Sequence, residues 1–186
     1  LSDGWTYLNA HAAPQIAERV ASGVARSFRL SATVKPLEDA VGAHSAHHDP
    51  GELHAADMYD SARRAVADLT GATAQRVILG PSLPVLYQSL GVALRPLLRR
   101  QSSVVLSRFD SPEFTSAFEH LGADIRWSQP DLGTGELPAF QYADLVDGST
   151  RFVAFSAAHE LLGTVTPASE IIDSVHERSR AWVLVD

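Results

Sequence analysis

Residues 151–186 read RFVAFSAAHELLGTVTPASEIIDSVHERSRAWVLVD, and the order of patterns in this stretch decides the fold. RFVAFS (151–156) is a strand pattern, ASEIIDSVHERS (168–179) spaces its apolar residues as a helix does, and AWVLVD (181–186) is a strand again. Strand, helix and strand in that order form a βαβ unit, which needs a parallel sheet. Runs such as VAF lack polar alternation, as strands covered on both faces do. The stretch closes on Asp186, a carboxylate at the carboxyl end of a strand, where open α/β sheets hold ligand groups.

Upstream, the same alternation continues. SVVLS (103–107) and DIRWS (124–128) are strands on either side of SPEFTSAFEHLG (111–122), a helix with Ser111 as its cap and Pro112 in the first turn. The turn-rich DLGTGELP precedes a short helix over LPAFQYADLV. RVIL (76–79) predicts a further strand, leading through a small turn into a helix over PVLYQSLGVALRPLL (84–98), bent at Pro96. DMYDSARRAVADL is a helix that Gly71 terminates, and a first helix begins near Pro14 with Ile16, Val20 and Val24 on one face. Residues 31–56, SATVKPLEDAVGAHSAHHDPGELHAA, show little periodicity and form a long irregular segment holding His44, His47, His48 and His54. The expected fold is α/β, three-layered, with a mostly parallel sheet and helices on both faces. It occupies residues 1–186 as one domain, with 1–30 as a helical arm and 31–56 as the irregular segment.

Bulk composition narrows the function classes. The 186 residues are 45% hydrophobic and 20% charged, as in soluble globular domains. A net charge of -7 gives no reason to expect nucleic acid or an anionic membrane as partner. With no long apolar run and no signal-peptide pattern, the expected location is cytoplasmic. The absence of cysteine excludes thiolate nucleophiles, disulfides and cysteine metal sites. Lys35 is the single lysine, so lysine chemistry within these residues has one candidate.

Three places can carry chemistry. The turn Pro81-Ser82-Leu83-Pro84 opens a helix, whose free N–H groups and dipole suit a phosphate, although an ordinary βα turn looks the same. It matches neither GxxxxGK[ST] nor GxGxxG. The four histidines match no zinc spacing, HELLG (159–163) lacks the second histidine of HExxH, and no metal is expected. Asp186 suits a cationic ring nitrogen, a ribose hydroxyl, a metal, or simply a helix cap.

The ordered set of segments resembles the N-terminal part of fold-type I pyridoxal phosphate (PLP) proteins of the class V aminotransferase group, the cysteine desulfurase-like branch most of all. WTYLNAHAAPQIAERV is similar to that family's opening YLDNA…P…V segment, and YDSARRAVADLTGATAQRVILGPS to its AR..VA.FL….I.FT.GTT stretch. VVLSRFDSPEFTSAFEHLGADIRW resembles V.VS..EH.AN…W…A…GA.V, and DLGTGELP the D..G.L hairpin. TRFVAFSAAHELLGTVTPASEIIDSVHERSRAWVLVD resembles T..V…..SN..G…P..EI….H..GA..VVD. The likeness runs in order through nearly all of the chain.

The resemblance implies the large domain of that fold, incomplete at 186 residues, and a cofactor, PLP. It implies that Asp186 faces the pyridine nitrogen and that the turn at 81–84, with Ser82 and Leu83, cradles the phosphate. Ser111 falls where the family has a histidine stacked on the ring, Glu160 where it has an asparagine donating to the ring hydroxyl, and Pro84 where a threonine is common. The Schiff-base lysine is expected beyond residue 186, since Lys35 lies before the sheet strands, so no catalytic residue is assigned within the chain. The implied function is that of a PLP enzyme acting on an amino acid by C–S cleavage or transamination, as a homodimer with the histidine-bearing segment toward the partner. Two alternatives stay open: a catalytically degenerate relative with a binding or regulatory role, and an unrelated α/β protein that binds a phosphate or nucleotide.

Overall fold

The central strands of the sheet form from short, buried, largely apolar runs. In the computed structural model, which describes residues 4, 6–8, 10, 13–34 and 52–186, the strands are β1 (Ser103–Ser107), β2 (Asp124–Ser128), β3 (Thr150–Phe155) and β4 (Trp182–Val185). They pair in the order β2-β1-β3-β4, and every pairing is parallel. All four strands belong to one compact unit, Gly80–Asp186; Leu1–Leu79 form another.

Alternation along each strand sends successive side chains to opposite faces, and each face is covered. On one face Val105, Val153 and Phe155 pack with Leu137, Tyr142, Val146, Ile171 and Val175, the last four supplied by α5 (Phe140–Leu145), its flank, and α6 (Ala168–Arg178). On the other, Val104, Leu106, Phe152 and Ala154 pack with Tyr87 and Leu94 of α3 (Leu83–Leu94) and with Phe114 and Phe118 of α4 (Pro112–Glu119). The result is the expected three-layer α/β architecture. Helix α3 runs close to α4: a Cβ on Gly91 would lie 2.6 Å from the carbonyl oxygen of Ala117.

The unit Leu1–Leu79 contains α1 (Glu18–Leu30) and α2 (His54–Thr70), the latter closed by Gly71 in the left-handed region at φ 68°. Helix α1 starts four residues after Pro14, and α2 takes in His54, three residues before the expected start. The His54 ring nitrogen Nδ1 lies 3.0 Å from the Thr33 hydroxyl. Lys35, His44, His47 and His48 lie outside the described residues. RVIL is not a strand. A 3-10 turn spans Ala74–Arg76, and the residues after it have no regular structure. The Val77 carbonyl accepts from Arg63 Nε at 3.0 Å and Ile78 is 77% exposed, and no strand is formed here among the described residues.

Candidate functional site

Four parallel strands deliver their carboxyl ends to one edge. The residues just past β1, β3 and β4 form the candidate site. Past β4, the Asp186 backbone continues the ladder: its N–H donates to Phe155 O at 3.1 Å and its carbonyl accepts from Ala157 N at 2.7 Å. Its Oδ1 accepts from the Tyr87 hydroxyl at 2.5 Å. Tyr87 lies four residues into α3, so this bond sets the start of α3 beside the end of β4. The Tyr87 ring is buried and meets Phe114 edge-on, with centroids 4.9 Å apart.

Past β1, Asp110 reaches across to β3. Its Oδ1 accepts from the N–H of Ser156 at 3.0 Å, while Oδ2 is buried without a hydrogen-bond partner. Past β3, His159 heads a tight turn, its Nδ1 accepting from the N–H groups of Leu161 and Leu162, each at 3.3 Å. With Nδ1 an acceptor, the proton of the neutral ring sits on Nε2. The ring lies against Phe109, centroids 4.2 Å apart.

These contacts shift two groups. Burial drives the Asp110 carboxyl above its ordinary value; the hydrogen bonds from Ser156 oppose this, the Asp186 charge adds to it, and His159 counters it. Burial likewise holds the Tyr87 phenol well above its ordinary value, helped by the hydrogen bond to Asp186 and by the charges of Asp186 and Asp110. Tyr87 therefore stays protonated and donates at any physiological pH.

The residues singled out in the sequence fall as follows. Ser82 is the exposed residue before α3; its side chain makes no capping bond and its carbonyl accepts from Leu86 N at 3.1 Å. Leu83 and Pro84 are the exposed first two residues of α3. Ser111 caps α4, its Oγ accepting from Phe114 N at 3.3 Å. Glu160 is exposed on the turn that His159 heads. Tyr87 and Phe114 thus draw Asp186, the α3 start and the Asp110-Ser111 pair to one edge. Tyr87 and Asp110 belong to no motif in the sequence, and His159 stands there only as the first histidine of an incomplete HExxH. Tyr87 lies inside an apolar helical run, and Asp110 directly precedes the Ser111 cap, so neither stands out locally. Among the described residues no group of three His, Asp or Glu is placed to hold a metal, and no helix is long and apolar enough to cross a membrane.

The Aminotransferase class-V family matches residues 30–186. The chain belongs to that family. Uncharacterized protein MT3887 of Mycobacterium tuberculosis (strain CDC 1551 / Oshkosh) is 35% identical over 190 residues, covering all of this chain and 45% of the relative. Cysteine desulfurase-like protein ustD of Aspergillus flavus is 26% identical over 147 residues, covering 74% of this chain and 34% of that protein. The crystal structure of the cysteine desulfurase CsdA from Escherichia coli superposes with a TM-score of 0.76 at 18% identity, covering 97% of this chain and 44% of that one. The chain therefore spans less than half the length of these relatives, and it carries the parallel-sheet fold.

Proposed function

We propose that this class V aminotransferase chain supplies the ring-nitrogen and phosphate sides of a PLP site in an enzyme that acts on an amino acid by C–S cleavage or transamination. The observation that carries the reading is the Asp186 carboxylate. It is fixed at the carboxyl edge of the sheet, next to the start of α3, with one oxygen taken by Tyr87 and Oδ2 given no donor by any described residue. A charge-assisted hydrogen bond from a protonated ring nitrogen suits that free oxygen. The buried, unpartnered Oδ2 of Asp110 on the same edge is a second polar atom left for a ligand. When bound, PLP supplies an electron sink for bonds broken at an amino acid's α-carbon.

The remaining residues bind and orient. The N–H groups of Leu83 and Val85 in the first turn of α3, together with the Ser82 hydroxyl, suit a phosphate at a helix N-terminus. Pro84 withholds one N–H from that set. Ser111 offers no aromatic face to a ring, which forfeits about 0.5–1.5 kcal/mol by analogy with aromatic pairs. An ionised Glu160 accepts hydrogen bonds and donates none, so it cannot replace an amide donor to a ring oxygen. Asp110, with its raised pKa, holds a proton more readily than an exposed carboxyl and so limits the negative charge next to Asp186. The Schiff-base lysine is assigned outside residues 1–186, and a cytoplasmic homodimer is part of the same reading.

The test uses the full-length protein. Purified without cofactor and titrated with PLP, it should gain a saturable visible band that borohydride abolishes. Asp186→Asn should weaken binding, and L-cysteine or another amino acid should be turned over. A colourless protein whose melting temperature PLP leaves unchanged would be a degenerate relative, and the reading would fail.

A further inference from the structure

We propose that Tyr87 is a positioning residue for the cofactor carboxylate: it commits Oδ1 of Asp186 to the protein and so presents Oδ2 to the ring nitrogen. The inference rests on the PLP reading and goes further, because it names the group that preorganises the contact.

Three observations carry it. First, the Asp186 backbone is pinned on both sides, by Phe155 O at 3.1 Å and Ala157 N at 2.7 Å, so only its side-chain torsions remain free. Second, the Tyr87 hydroxyl meets Oδ1 at 2.5 Å, which removes that freedom. Third, the Tyr87 ring cannot drift. It is 8% exposed, edge-on to Phe114 at 4.9 Å and tilted against Phe118 at 6.4 Å, within the cluster that includes Val104 and Ala154. A carboxylate has about four acceptor positions on two oxygens, so one donor from the protein leaves room for one from a ligand. Asp186 itself is exposed. Without the phenol, its side chain would sample several rotamers, and binding would have to freeze them.

The same geometry argues against a purely structural bond. A hydroxyl that needed only a partner would be satisfied by a backbone carbonyl. Here it selects the one carboxylate at the strand end, which stays open to ligand on its other oxygen.

The experiment compares full-length wild type with Tyr87→Phe, which keeps the ring and its aromatic contacts and removes only the hydroxyl. Two quantities are read: the dissociation constant for PLP from an absorbance titration of cofactor-free protein, and the melting temperature of that cofactor-free protein. The expected result is a dissociation constant raised about three- to tenfold, the range set by immobilising one side chain, with a melting temperature close to wild type. A lowered melting temperature with unchanged affinity means that the bond serves the fold, and it overturns the proposal. Unchanged values for both also overturn it. If wild type binds no PLP, the cofactor reading fails and takes this inference with it; if wild type binds and the variant binds equally well, only the role of Tyr87 fails.

Discussion

Asp110 keeps one carboxylate oxygen satisfied by Ser156 N–H and the other buried without a partner. Its folded-state pKa is raised, chiefly by burial. A raised carboxyl pKa means that the folded state favours the protonated form. Its contribution to stability is complete below the unfolded value and is lost as pH rises through the folded one. Asp110→Asn removes this dependence while leaving an oxygen to accept from Ser156. The difference in melting temperature between variant and wild type should therefore shift in the variant's favour from pH 4 to pH 7; a constant difference would show that Asp110 does not titrate with folding. Ser111 gives a simpler expectation. Its hydroxyl caps α4, and Ser111→Ala should cost about 1 kcal/mol, read from a urea midpoint. At this scale the sequence was informative about position and poor about partners. Asp186 stands out because a carboxylate ends an apolar run. Tyr87 does not, because its hydroxyl finds Asp186 only once helix and strand are docked, 99 residues apart in sequence.

Helix α3 meets α4 through Gly91, where an added Cβ would sit 2.6 Å from the Ala117 carbonyl oxygen. The Cβ position is fixed by the Gly91 backbone and the oxygen belongs to the Ala117 backbone, so no side-chain rotation relieves the contact. Gly91→Ala gains about 1 kcal/mol of helix propensity, against an overpacking cost of about 1–3 kcal/mol. The clash should win, with a net loss of about 1 kcal/mol seen by urea unfolding; a stabilised variant would mean that the helices part easily. The loop before β3 supplies a second prediction. The side-chain and backbone donors of Ser149, followed by Arg126, lower the Asp147 carboxyl to about 2. A depressed pKa contributes stability above the ordinary value of 3.8 that is lost as pH falls toward about 2. Asp147→Asn should flatten the stability–pH curve in that window, and only there. Elements were legible where burial was two-sided. SVVLS and RFVAFS became β1 and β3 because continuous apolar runs have nowhere else to go. RVIL carried the same local pattern and failed: its one buried residue, Val77, gives its carbonyl to Arg63, while Ile78 faces solvent. A run of three apolar residues cannot report whether a neighbouring strand will be present.

Among the described residues the sheet is bounded by β2 on one side and β4 on the other, and the two differ in chemistry. The β2 edge carries Arg126, which pairs with Asp124 at 3.3 Å and with Asp147 at 2.9 Å. A charged and partnered edge resists pairing with another chain. The β4 edge reads Trp-Val-Leu-Val, with no charge among its residues and with Trp182 69% exposed. Its outer row of N–H and C=O groups has no strand partner among the described residues, and exposed apolar edges of this kind template strand addition. Residues 1–186 expressed alone should therefore associate in a concentration-dependent way, without fixed stoichiometry, through β4. Trp182→Lys places a charge on that edge while leaving Val183 and Leu184, which face the two cores, untouched. Light scattering across tens of micromolar should show the wild-type fragment growing in mass and the variant staying close to monomeric. If both behave alike, the edge is not what associates. If the fragment is a monomer throughout, the edge is blunted by twist or by its flanking residues instead of by charge.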